Sequence, residues 1–378
     1  MENRKYLKVL IPFFILGFFV FNINNVFAYE VETHAFLTNE IIKFYNQNFP
    51  NDLISNKLMP YLIDGSRRED DTPRWMNHFY DPVYNRGLTI VPLTWQKSKD
   101  WAQDSNNQNS LTYKVPATIA SILTAIQQRA ISALTTETDF TWQQAIKFYV
   151  QDDKEKAMFM LGHILHLIED TSVPDHTRND PHIGDSPYEI YTSQFNLTNP
   201  DKNLSTGLNN KTPITLSDLN SYFDGLSNYS NNNFYSKDTI GIQSGYNLPL
   251  PIEYENSNDL YYALGTDNEG FYKLSVQPVQ ASALVNIKGV VSVDDKRVVN
   301  DYWSRLSTKS VQYGAGVINL FFQQAEAAKN NSGVSQTQPK SFLSQAIDAV
   351  TNFFSGIFGS DQNLQPVAQI TLDTQNTD

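Results

Sequence analysis

The chain has 378 residues, long enough for one large domain or two ordinary ones, and its 40% apolar and 18% charged residues, with 23 Phe, 20 Tyr and 5 Trp, exclude a wholly disordered, collagen-like or coiled-coil protein. Cysteine is absent, which rules out a disulfide framework, a thiolate zinc site and a cysteine nucleophile, and leaves any metal to His, Asp, Glu or backbone groups. Against 40 acidic residues stand 28 basic ones, and the charge of -12 argues against a sequence-independent grip on nucleic-acid phosphates, which needs a basic surface.

Residues 1–28 read as a secretory signal: Arg4, Lys5 and Lys8 precede an apolar run over 9–21, and Val26 and Ala28 stand where a signal peptidase reads. Pro12 and Gly17 interrupt that run, and it falls short of the roughly 20 apolar residues of a spanning helix. Cleavage after Ala28 would remove three basic residues and one acidic residue, leaving 25 against 39, a net of -14, with Tyr29 as the new N-terminus. The expected location is therefore secreted, periplasmic or cell-surface.

Thr33 is the expected N-cap of a first amphipathic helix, with Phe36, Ile41, Ile42, Phe44 and Tyr45 on its apolar face and Pro50 near its end. Further helices are expected over 53–63, 116–134, 142–150 and 153–169. From 196 to 268 the chain is rich in Asn, Ser, Tyr and Gly, with helical spacing only around 216–229, and reads as a loop-rich insertion or lid. A short β-like patch at 285–299 leads to a helix over 302–328 that closes a domain of residues 29–329. Residues 330–340 form a Ser/Gln/Asn linker. The last segment, 341–378, is an amphipathic helix and tail, with Phe342, Ile347, Val350, Phe354 and Ile357 near one face. Helices dominate, and there is no internal repeat.

The strongest local signal is 161–180, LGHILHLIEDTSVPDHTRND. His166 and Asp170 stand at i and i+4, on one helix face a turn apart, which suits two ligands on one ion. Pro174 should end that helix and leave His176 on the following loop, free to fold back. A carboxylate at a helix C-terminus opposes the dipole, which weakens the reading of Asp170 as an ordinary helix-end charge. A second cluster, DGSRREDDTPRWMNHFYDP over 64–82, offers His78 with Asp64, Asp70 and Asp71 upstream. At the expected mature N-terminus, His34 follows Tyr29 by five residues, and a free α-amine titrates near 8, low enough to bind a metal together with its own carbonyl. His182, Asp185 and Glu189 follow in PHIGDSPYE. Histidines and carboxylates without thiolates suit zinc better than calcium or magnesium.

Together, the N-terminus, HFYDP, the His-x3-Asp-x5-His run and the His/Glu segment resemble the zinc-dependent phospholipase C family and its relatives, the three-zinc single-strand-specific nucleases. The resemblance covers 29–195, with 302–328 as a closing helix. It implies an all-α fold, a multi-helix phospholipase C/nuclease-like domain carrying three zinc ions in a cleft. Carried over residue by residue, the implied ligands are Tyr29, through its amine and carbonyl, His34, Asp70, His78, His166, Asp170 as a bridge, His176, His182 and Glu189. Asp70 follows Gly65 by five residues, as in the family, although Asp64 and Asp71 are rivals. The family's last His and acid lie four residues apart, whereas His182 and Glu189 are seven apart and Asp185 stands in the four-residue place. His163 is left as packing or as support behind the ligands.

The implied chemistry is metal-assisted in-line hydrolysis of a phosphodiester, with Asp70 as ligand and catalytic general base or water orienter. HFYDP and the acidic chain favour a phospholipase C that releases diacylglycerol and a phosphorylated head group, with phospholipid as partner, at a membrane surface or free. The Tyr29 to His34 spacing favours a nuclease or 3'-nucleotidase, and a non-catalytic zinc-binding protein is a third reading. Asp71, where an aromatic residue would be needed, argues against a choline cage.

Overall fold

The computed structural model describes residues 29–71, 74–110, 139–182, 186–240, 246, 249, 251–278 and 291–332. The leader, the helix at 116–134, the amphipathic segment at 341–378 and Asp185 lie outside these residues. In chain order the described elements are α1 (Val31–Asn48), α2 (Met59–Arg68), a 3-10 turn (Arg74–Asn77), β1 (Thr89–Ile90), β2 (Leu93–Thr94), α3 (Ser98–Trp101), α4 (Ser105–Ser110), α5 (Trp142–Val150), α6 (Lys154–Asp170), α7 (Pro174–Thr177), α8 (Pro187–Thr192), α9 (Lys202–Gly207), α10 (Leu219–Asn233), a second 3-10 turn (Lys237–Thr239), β3 (Glu253–Ser257), β4 (Leu260–Asp267), β5 (Gly270–Pro278) and α11 (Lys296–Ser332).

The central element is α6. Asp153 caps its start by accepting a hydrogen bond from Lys156 N, and from Met160 to Asp170 every residue is buried, so the helix is enclosed on all sides. α2 packs most extensively on it, with α5, α1 and α11 around them. The α2–α6 crossing depends on two glycines. A Cβ on Gly162 would collide with Leu62 O and stand 2.8 Å from Ser66 N; one on Gly65 would collide with Phe159 O. Only backbone-to-backbone approach fits, and it brings the C-terminal end of α2 alongside the histidines of α6.

Several element boundaries depart from the sequence expectation. The N-cap of α1 is Glu30 and not Thr33; the Thr33 hydroxyl is taken by tertiary partners, the carbonyls of Thr192 and Phe195, both at 3.1 Å. α2 lies later than 53–63: Pro60 sits in its first turn, where a missing N–H costs nothing. Pro174 opens the single-turn α7 and so places His176 on a helix, not a loop. α11 runs beyond 302–328 at both ends and takes in the first residues of the expected linker.

The fold is mostly helical, and the expected all-α class omits a three-stranded antiparallel sheet, β3-β4-β5, most of it inside the stretch read as loop-rich. Asn258 and Asp259 both adopt positive φ, 53° and 61°, which makes a tight hairpin between β3 and β4, and Gly270 at φ 105° closes the β4–β5 turn. β5 packs against α11, where the Tyr302 hydroxyl donates to Leu274 O at 2.6 Å. The insertion also contains α9 and α10. Among the described residues no helix is long and apolar enough to cross a membrane.

Candidate metal centre

All six histidines are buried. Four chain segments meet at them: the start of α1 brings His34, the end of α2 with the following 3-10 turn brings Asp70 and His78, the last turn of α6 brings His166 and Asp170, and α7–α8 bring His176, His182 and Glu189. They form three buried groups, His34/His166/Asp170, Asp70/His78/His166 and His176/His182/Glu189, each with ligand-type atoms within 4.8 Å of one another. These groups can hold metal ions.

Asp170 is the hub. Its Oδ2 lies 2.9 Å from His78 Nδ1 and 3.2 Å from His166 Nε2, while its Oδ1 lies 3.4 Å from His34 Nε2 and 3.8 Å from His176 Nδ1. Asp70 Oδ1 is 3.6 Å from His166 Nε2 and 3.7 Å from His78 Nδ1. Glu189 reaches His176 Nε2 at 3.9 Å and His182 Nε2 at 3.4 Å.

The donor set passes a test for metal on its own terms. Buried polar atoms nearly always find partners, yet both oxygens of Asp70, both of Asp170, Nε2 of His34 and His182, both nitrogens of His176 and Oε1 of Glu189 have no hydrogen-bond partner among the described residues. The opposite nitrogens mostly do. His166 Nδ1 donates to Ser66 O at 2.7 Å, His78 Nε2 to Glu69 O at 3.2 Å, His182 Nδ1 to Asp180 O at 3.0 Å, and His34 Nδ1 to Glu169 Oε2 at 2.6 Å. Each of these bonds aims the opposite nitrogen inward, for His166 and His78 to within 3.2 Å of one another, the usual arrangement behind a metal-bound imidazole. His182 holds this position at φ 34°, an uncommon conformation for a residue with a Cβ, braced by its N–H on Asp180 Oδ1.

Electrostatics follow from this burial. Burial pushes the Asp70 and Glu189 carboxyls up, and it drives His176 down to about 3 against the opposing pull of Asp170. Burial likewise opposes ionisation of Asp170, but the charges of His166, His78 and His176 outweigh it and hold the carboxyl well below its usual range. For His34 burial opposes the charge, but the nearby carboxylates of Asp170 and Glu169 overcome it and raise its pKa to about 10.

Eight of the nine ligands suggested by the resemblance therefore lie in the three groups. The rivals separate by exposure: the Asp64 and Asp71 side chains are 52% and 48% exposed and pair with Arg68, while Asp70 is buried. Tyr29 is buried beside the first group, its ring 5.4 Å from that of His34 and its hydroxyl bonded to Ser172 Oγ and Tyr188 OH at 2.9 and 2.7 Å.

Two residues that the sequence did not mark are Glu69 and Glu169, each the residue before a candidate ligand and each fully buried. Glu69 accepts from His163 Nδ1 at 2.6 Å, Arg74 Nε at 2.8 Å and Trp101 Nε1 at 2.8 Å, which anchors the backbone ahead of Asp70 and explains His163. The repeated Glu-Asp dipeptide is the one signal that could have drawn attention to them. No protein-family model matches the chain, and no curated protein matches it.

Proposed function

We propose that the chain is a zinc-dependent phosphodiester hydrolase of the phospholipase C type, cleaving glycerophospholipids to diacylglycerol and a phosphorylated head group. The observation that carries this reading is the convergence on three neighbouring points of buried His, Asp and Glu atoms, most of them without a hydrogen-bond partner among the described residues, together with the motif resemblance. A donor set of histidine and carboxylate with no thiolate suits zinc. His34 and Asp170, with the Tyr29 amine after cleavage, would hold one ion; Asp70, His78 and His166, with Asp170 as a bridge, a second; His176, His182 and Glu189 the third.

Zinc bound there supplies Lewis acidity, a lowered water pKa and neutralisation of a phosphodiester's charge. The protein's own part is positional. Asp70 presents two oxygens with no hydrogen-bond partner among the described residues at the edge of the second group, which suits a group that orients an attacking water and takes its proton. Phe79 stacks on His176 at 4.2 Å and shields that imidazole from water.

A nuclease or 3'-nucleotidase is the second reading, supported by the five-residue step from Tyr29 to His34. Purified protein with zinc, offered phosphatidylcholine vesicles, single-stranded DNA and a chromogenic phosphodiester, separates the two. Head-group release abolished by EDTA supports the phospholipase reading. Cleavage of DNA alone replaces it with the nuclease, zinc uptake with no hydrolysis leaves a zinc-binding protein, and head-group release indifferent to EDTA refutes the zinc mechanism.

A further inference from the structure

Among the five candidate ligand imidazoles, His34 is backed differently from the rest. His78, His166 and His182 each donate their outer N–H to a neutral backbone carbonyl, and neither nitrogen of His176 has a partner among the described residues. His34 Nδ1 meets a carboxylate, Glu169 Oε2, at 2.6 Å. The other oxygen of Glu169 accepts from Thr38 Oγ1 at 2.8 Å. His34 and Thr38 lie four residues apart on α1, so one helix face engages both oxygens of a carboxylate that is itself fully buried.

We propose that Glu169 is a positioning residue that makes the ion site at His34 and Asp170 the tightest of the three and the last to release its ion. The inference rests on the metal reading above. A hydrogen bond to an ionised acceptor is roughly twice as strong as one to a neutral carbonyl; it locks the proton on Nδ1, aims Nε2 at the ion and strengthens the imidazole as a donor. The placement is otherwise unfavourable, since Glu169 and Asp170 are adjacent acids at the C-terminal end of α6, where the helix dipole opposes negative charge. A cation bound between His34 and Asp170 offsets that charge, and Glu169 stands directly behind it.

The test is competition between the full chain and a chromophoric chelator for zinc alone, with cobalt absorption as a second readout. Glu169→Gln keeps the shape and an acceptor for Nδ1. It should weaken the tightest step by about 10- to 100-fold, the usual effect of removing such an outer partner, leave the other two steps unchanged, and shift the absorption of one cobalt ion only. Thr38→Val should move the same step in the same direction by less. The metal-free protein should melt lower for Glu169→Gln, because protonated His34 then loses a charged partner, so the step-specific affinity is the deciding readout. Unchanged affinities in Glu169→Gln, equal weakening of all three steps, or a lower metal-free melting temperature with intact affinities would each overturn the inference while the metal reading survives. A wild-type chain that takes up no zinc refutes both. Three ions with the affinity pattern described and no phosphodiester hydrolysis supports the role of Glu169 and removes only the assigned activity.

Discussion

The rings of His34 and His166 stack at 3.6 Å between centroids with their planes 19° apart, although one belongs to α1 and the other to α6. Glu169 holds the back of one ring and Ser66 O the back of the other, so the stack leaves both Nε2 atoms beside Asp170, at 3.4 and 3.2 Å. Asp170 thereby joins groups that α1, α2, α6 and α7 deliver separately.

Asp170→Asn should consequently be the most damaging single change at the site. It removes charge from a carboxylate within 4 Å of four histidines, and the expected loss of zinc affinity exceeds the 10- to 100-fold typical of outer-shell changes. Metal analysis after dialysis should find at least two ions missing; a full complement would contradict the bridging role.

The α2–α6 crossing makes a separate demand. Gly162→Ala would press a methyl into Leu62 O and within 3 Å of Ser66 N and Gly65 Cα, all backbone, which cannot rotate away. Overpacking of this kind costs about 1–3 kcal/mol, and because Ser66 O orients His166, zinc affinity should fall along with the melting temperature. A variant with wild-type values for both would show that the crossing relaxes freely.

Glu69→Ala removes the buried carboxylate shared by Arg74, His163 and Trp101. Breaking a buried pair by deleting one partner typically costs about 3–5 kcal/mol, so chemical denaturation should register a loss of that order. A change below about 1 kcal/mol would mean that Arg74 and His163 find other support.

The candidate ligands also couple metal binding to protons. Raised to about 10 from the ordinary 6.5, His34 is protonated at pH 7 in the metal-free protein and must release that proton to bind an ion. Calorimetric titration at pH 7 in buffers of different ionisation enthalpy should therefore show proton release, and zinc affinity should climb with pH toward about 10. In the metal-free protein the sign reverses: a raised histidine stabilises fully below about 6.5 and loses that contribution as pH rises through about 10. Stability that is flat over this window would place the proton elsewhere.

How much of this was legible in the sequence follows from what each residue type announces. The i,i+4 pair His166 and Asp170 and the loop histidine His78 stood out because histidine is scarce and helical spacing fixes a shared face. Helices at 142–150 and 153–169 carried strong apolar periodicity and emerged almost in place. Glu69 and Glu169 did not stand out, because an isolated glutamate usually reads as surface and only the fold shows that both are sealed inside. The sheet was hidden by composition: Asn, Ser and Gly in its tight turns outweighed the alternating apolar residues of β4 and β5, whose packing partner, α11, follows later in the chain. Thr33 misled as a cap; its hydroxyl is engaged 159 residues away.

The most direct test of the three-ion account is metal content. Protein purified without chelator, beginning at Tyr29, should contain three zinc ions per chain by elemental analysis and lose them, together with thermal stability, in EDTA. Fewer than two ions per chain after zinc reconstitution would contradict it.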